Sequence, residues 1–303
     1  MRSVLPLALA VLALSMPHRV AADPPRTEEL TSLDERLSRS PTDLEARLRR
    51  AETLVRMGAA ADALEDVRLA ELLAPADGRT TLLRAWCLLV LGRAEQARAA
   101  LDDAAIARAP SPAEARALRA RIAIALGDER AAREDLDRAL ETLAEADLYL
   151  LRAELDRRLR GDASEGLTEG LLRTGSVVLE AALVEELARV GRAAEALAQL
   201  AASALPALRR TLTTARLLRA LARDDEALRE AALAEREARA RIAERPTAAR
   251  HLELALALSL LARCDEARAH LDAAAGLSPA YASRVHPGLG DVAAAVRGCG
   301  GER

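Results

Sequence analysis

Leu44–Asp77 reads LEARLRRAETLVRMGAAADALEDVRLAELLAPAD. Two runs of strong helix formers, with apolar residues recurring three and four positions apart, flank Gly58, and Pro75 closes the second run. The pattern predicts two amphipathic helices joined by a tight turn, because Gly accepts the left-handed backbone that ends a helix and Pro cannot continue one. Ala51, Ala63 and Ala70 fall where the two helices cross. Antiparallel helices approach to about 8–10 Å only where the crossing side chains are small. Leu54 and Val67 fill the gaps between neighbours, and since one hairpin cannot bury its apolar stripe alone, further copies must stack on it.

The copies are there. Equivalent turn positions are Gly58, Gly92, Gly127, Gly161, Gly191, Ala222 and Ala262, spaced by 34, 35, 34, 30, 31 and 40 residues. The first three spacings are tight; the last reflects a longer second helix, predicted over Asp224–Glu244 and stopped by Pro246. Small residues repeat in register at Ala85, Gly92, Ala97, Leu101 and Ala104, and again at Ala120, Gly127, Ala132, Leu136 and Ala139. The last copy, from about Ala248, has Ala255, Ala262, Ala267, Leu271, Ala274 and Pro279.

On these residues the chain resembles the tetratricopeptide repeat family over roughly Leu33 to Pro279. The resemblance implies an all-α, right-handed solenoid of about seven stacked helix-turn-helix units over residues 41–279. Thr27–Ser40 looks like a capping second helix, with Leu33 and Leu37 inward and Pro41 closing it, so that residues 23–40 form a linker and cap. Residues 280–303 read as a tail with one short helix near Val292–Val296. Gly161, Gly166, Gly170 and Gly175 weaken the fourth unit's second helix, since an interior Gly costs about 1 kcal/mol relative to Ala. Segment 161–176 is therefore expected to be a degenerate repeat, with a hinge as the sharper alternative.

Composition agrees with the helical reading. Of 303 residues 72 are Ala and 56 Leu, only 1% are aromatic, and Ile occurs four times, which leaves little material for a sheet. Phe, Lys and Asn are absent, all residues of AT-rich codons, so the Arg-only basic set reads as codon bias. Forty-four basic and 47 acidic side chains are interleaved without the basic stripe that phosphate binding needs, and no nucleic-acid partner is expected.

Residues 1–22 differ from the rest. Arg2 precedes an apolar run from Ser3 to Met16, and Val20-Ala21-Ala22 suits cleavage after Ala22, so they read as a signal peptide and the protein as exported, periplasmic or secreted. The run is too short for the roughly 20 residues that span a bilayer, and no transmembrane segment is expected after its removal. Export permits disulfides. Cys87 lies in an apolar helical run and reads as a buried thiol; Cys264 and Cys299 are either bridged, pinning the tail, or free.

Catalytic signatures are missing: the sequence has no phosphate loop, no Gly-x-Ser-x-Gly and no His-Glu-x-x-His. His251, His270 and Cys264 share a unit, but their spacing matches no zinc pattern, and the register puts the two His on different facings. The acidic residues lie in alternating-charge faces such as Arg130 to Arg138, read as i to i+4 pairs. No enzyme, cofactor or metal site is expected. What the resemblance implies instead is a concave surface of first helices bearing Glu52, Arg56, Trp86, Val90, Arg121, Glu154, Arg157, Arg158, Glu185, Arg189, Arg216 and Arg219. The family often holds peptide segments or carboxyl termini there, although its Lys and Asn carboxylate clamp has no counterpart in this chain. Trp86 either anchors a partner or packs between units. The expected function is an exported, non-catalytic scaffold for a protein or peptide partner. The alternatives are an accessory subunit of an exported enzyme or envelope assembly complex, and, from another class, an amphipathic protein coating lipid surfaces.

Overall fold

The computed structural model describes residues 24–278 and 292–299; the expected signal peptide, Pro279 and most of the expected tail lie outside them. The described residues form seventeen helices and no strand. The chain divides into two compact units, residues 1–148 and 149–303.

In the first unit α1 (Pro24–Arg39) precedes three hairpins: α2 (Leu44–Arg56) with α3 (Ala60–Leu73), α4 (Gly78–Val90) with α5 (Ala94–Ala100) and α6 (Asp103–Arg108), and α7 (Pro112–Ala125) with α8 (Glu129–Leu140). Leu33 and Leu37 of α1 are buried beside Ala46 of α2, which covers the apolar end of the first hairpin. Helix α9 (Ala146–Arg160) crosses the boundary and opens the second unit. There it is followed by α10 (Ser164–Thr174), α11 (Val177–Arg189), α12 (Ala193–Ala201), α13 (Ala207–Ala220), α14 (Asp224–Glu244), α15 (Ala248–Leu260), α16 (Cys264–Leu277) and α17 (Val292–Arg297). The long helix α14 has the predicted bounds.

The turns repeat one chemistry. Gly58 has φ +84°, and beyond it the Ala59 amide donates to the Leu54 carbonyl at 2.9 Å, satisfying a carbonyl that the helix end would leave bare. The same bond recurs from Arg93 to Leu88, Asp128 to Ala123, Arg192 to Leu187, Arg223 to Leu218 and Arg263 to Leu258. Ala222 and Ala262 hold the left-handed geometry despite their Cβ, at φ +56° and +59°. Crossing residues Ala51, Ala63, Ala70, Ala85, Ala97, Ala120, Ala132, Ala139, Ala255, Ala267 and Ala274 are all completely buried, the packing that the repeat register requires.

Two expectations are corrected and one gains a physical reason. The return helix of the second hairpin is not continuous: the Asp102 carboxylate accepts the Ala105 amide at 2.7 Å and starts a new helix, so Leu101 ends α5 and Ala104 belongs to α6. The Gly-rich stretch, expected as a weak helix, has a packing reason for its glycines. Helix α10 is regular from Ser164 to Thr174, and its glycines make room: a Cβ at Gly170 would lie 2.5 Å from Cγ of the buried Tyr149 ring, and one at Gly166 would lie 3.0 Å from the Arg152 guanidinium. That guanidinium stacks 4.9 Å from the Tyr149 centroid and pairs with Glu169 at 2.7 Å, so the absent side chains seat a polar cluster.

Nor are the acidic residues all surface i to i+4 partners. Within Arg130 to Arg138 that pairing does occur, between Arg133 and Asp137, but Asp135 is buried and grips Arg119 of α7 with two bonds of 2.7 Å. Asp66 of α3 is 2% exposed and receives Arg50 through two bonds of 2.7 Å and Arg47 through one of 3.1 Å. Both pairs join the first helix of a hairpin to its second, sixteen residues on.

In the second unit Cys264 and Cys299 are joined by a disulfide, with Cα atoms 5.5 Å apart. Val292 and Val296 of α17 are buried in the cluster formed by α13, α14, α15 and α16. Cys87 is fully buried, and its burial pushes the thiol up to about 12.

Candidate functional site

In the first unit the outer faces of α2, α4 and α7 line a groove of about 740 Å³. Its floor is apolar. Trp86 of α4 follows Leu83 by three residues and Leu82 by four, and Val90 follows Trp86 by four, so helical geometry aligns them in one column. Leu48 of α2 and Leu118 of α7 flank that column. The column stays half open to solvent because its helix neighbours Ala85, Cys87 and Leu88 already fill the interior.

Charged residues form the rim. Arg79 pairs with Asp77 at 2.8 Å and with Glu45 at 2.6 Å, and these carboxylates, Asp77 first, hold its guanidinium above the usual arginine range. Arg49 pairs with Glu29 at 2.8 Å, Arg56 with Glu52, and Arg121 with Asp147 at 3.0 Å. Five sequence-derived candidates, Glu52, Arg56, Trp86, Val90 and Arg121, thus line this one groove. Sequence reasoning did not single out Leu82, Leu83, Leu118, Glu114 or Glu145, which also line it. The spacing from Leu82 and Leu83 through Trp86 to Val90 was the available signal.

The other seven candidates belong to the second unit, where they mostly bind one another. Glu154 bridges Arg157 at 3.0 Å and Arg158 at 3.1 Å, and Arg216 pairs with Glu185. Arg157 and Arg189 both grip Glu186 of α11, at 2.7 Å and 2.6 Å, while Arg219 makes no ion pair among the described residues. Glu186 is 1% exposed and also accepts the Ala163 amide at 2.8 Å, so it ties α9 and the start of α10 to α11. Burial alone would raise its carboxyl, but the two guanidinium groups and the amide outweigh burial and hold it at about 2.

This lowered value has a sign that can be tested. An unfolded Glu titrates near 4.3, so the folded state holds the charged form better, and the stabilisation is present above that pH and lost as pH falls towards 2. Glu186→Gln is expected to lower unfolding stability at pH 7 by on the order of 2 kcal/mol, and to flatten the acid loss between these two values. Equal denaturant midpoints for both proteins at pH 7 would refute this assignment.

Register placed His251 and His270 on different facings, but the rings meet across α15 and α16, with Nδ1 atoms 2.9 Å apart and centroids 5.2 Å apart. The residues on neighbouring helices converge because the hairpin closes at Ala262, roughly midway between them. One ring must donate Nδ1–H while the other accepts. Burial first, then the charge of His251, pushes His270 below its usual range. Among the described residues no group of three or more His, Cys, Asp or Glu side chains is gathered as a metal site requires.

The repeated hairpins have counterparts among solved structures. The chain is similar to the C-terminal part of a TPR repeat-containing protein from Cytophaga hutchinsonii, with 14% identity over 77% of this chain and 95% of that one, at a TM-score of 0.58. The chain has the tetratricopeptide repeat fold. Yeast Tom70 is a further TPR-fold likeness, 18% identical over 85% of this chain and 56% of that one, at a TM-score of 0.51. No protein-family model matches the sequence, and no curated protein matches it. Among the described residues of the TPR chain no helix is long and apolar enough to cross a membrane.

Proposed function

We propose that this TPR-fold chain is an exported, non-catalytic scaffold that holds a segment of a protein partner in the groove of its first unit. The observation that carries the reading is the half-exposed column Leu82, Leu83, Trp86 and Val90, set in a concave floor and bordered by charges most of which the chain itself pairs. An apolar column of this kind gains free energy when a complementary side chain displaces its water, at about 25 cal/mol per Å² removed from solvent. Trp, with its large rigid surface, is a frequent anchor of such contacts. Export is supported by the signal-like residues 1–22, and the Cys264–Cys299 disulfide suits an oxidising compartment.

A phage-displayed library of random decapeptides, selected on the purified protein, tests the reading. Because Trp86 is the only Trp in the chain, binders without Trp can be followed by its emission. Enriched peptides are expected to carry a bulky apolar residue and to lose about tenfold or more in affinity against Trp86→Ala, the scale of an interface hot spot. A library that yields no binder, or only binders indifferent to Trp86→Ala, overturns the proposal.

A further inference from the structure

The chemistry of the partner segment follows from which groove charges are already neutralised, and this inference rests on the reading that the groove binds such a segment. Four arginines face the groove, and each has a carboxylate from the same chain: Arg49 has Glu29, Arg56 has Glu52, Arg79 has both Asp77 and Glu45, and Arg121 has Asp147. Five carboxylates face it as well. Glu45, Glu52 and Asp147 are engaged in those pairs, whereas the side chains of Glu114 and Glu145 have no partner among the described residues and are exposed.

Glu114 lies in the first turn of α7, and Glu145 precedes α9. Both line the same cavity as the apolar column. An entering segment therefore meets an uncharged floor, guanidinium groups that already have partners, and two carboxylates that have none. An acidic segment would have to break existing ion pairs to find a cation and would be repelled by Glu114 and Glu145. A basic segment needs no such exchange, and opposite charge also favours its approach.

We propose that the groove takes an extended segment of a partner protein in which a bulky apolar side chain seats on Leu82, Trp86 and Val90 and a neighbouring Arg or Lys reaches Glu114 and Glu145. The apolar residue supplies most of the affinity, and the basic residue sets selectivity, because exposed ion pairs contribute little individually and are screened by salt.

The decapeptides enriched on the wild-type protein provide the probes. Arg or Lys should be over-represented beside the apolar residue. For the tightest such peptide, Glu114→Gln combined with Glu145→Gln should weaken binding about three- to tenfold at low salt. The same double variant should leave unchanged the affinity of a matched peptide whose basic residue is Gln, and Trp86→Ala should weaken both peptides. Binders that depend on Trp86 yet lack basic residues, or that ignore the double variant, would overturn this inference while leaving the proposed function standing. Absence of any Trp86-dependent binder would overturn both.

Discussion

Asp66→Ala is expected to destabilise the protein by about 3–5 kcal/mol, the cost of removing one partner from a buried ion pair. The carboxylate is almost inaccessible and holds two guanidinium groups at once, Arg50 through two bonds and Arg47 through one. Its loss strands Arg47, which is itself buried, between α2 and α3. Arg50 keeps Asp34 at 2.6 Å, and Arg47 keeps only the Pro41 carbonyl. Urea unfolding at pH 7 measures the loss as a lower midpoint. Replacing the whole cluster with apolar side chains, Arg47→Met, Arg50→Met and Asp66→Leu together, is expected to recover most of it, because desolvating the charges offsets much of their attraction. If Asp66→Ala shifted stability by less than about 1 kcal/mol, the range of surface pairs, the carboxylate would have to be solvated rather than buried.

Removing the Cys264–Cys299 disulfide comes next in expected size. The bridge closes a loop of 35 residues, and the chain-entropy relation assigns to such a loop about 4 kcal/mol of stabilisation. Helix α17 spans only Val292–Arg297 and is too short to persist by itself. Its docking depends on Val292 and Val296 within the cluster of the second unit and on the covalent tie that follows them. Cys264→Ser with Cys299→Ser should lower the unfolding free energy by about that amount and expose α17 to protease ahead of global unfolding. Denatured without reductant, the wild type should titrate a single thiol, that of Cys87. Three titrating thiols in the oxidised protein would contradict the bridge.

Much of the architecture was legible because it rests on local rules. Gly58, Gly92, Gly127 and Gly191 mark turns that need a positive φ, and the Ala positions mark crossings that tolerate no larger side chain. Five of the seventeen residues lining the groove were legible for the same reason. A helix register fixes that Trp86 and Cys87 point apart, and the structure has the first lining the groove and the second in the core.

Register does not say which charges find one another in space. Asp66 and Asp135 looked like members of alternating-charge faces, yet their partners stand on the opposite helix of the hairpin. His251 and His270 looked divergent and are adjacent. Gly166 and Gly170 looked like weak points and are clearances for Arg152 and Tyr149. In each case the deciding neighbour comes from another element, and no local pattern encodes it.

The order of residues therefore determined the helices, their turns, the crossings of small side chains and the position of Trp86, all of which follow from backbone sterics and the helical period within about one repeat of chain. Tertiary structure alone decided which arginines have partners and which carboxylates, Glu114 and Glu145, remain without one. The physical reason is range: propensity acts between residues a turn apart, whereas the free charge of a groove is what remains after side chains from several helices have neutralised one another.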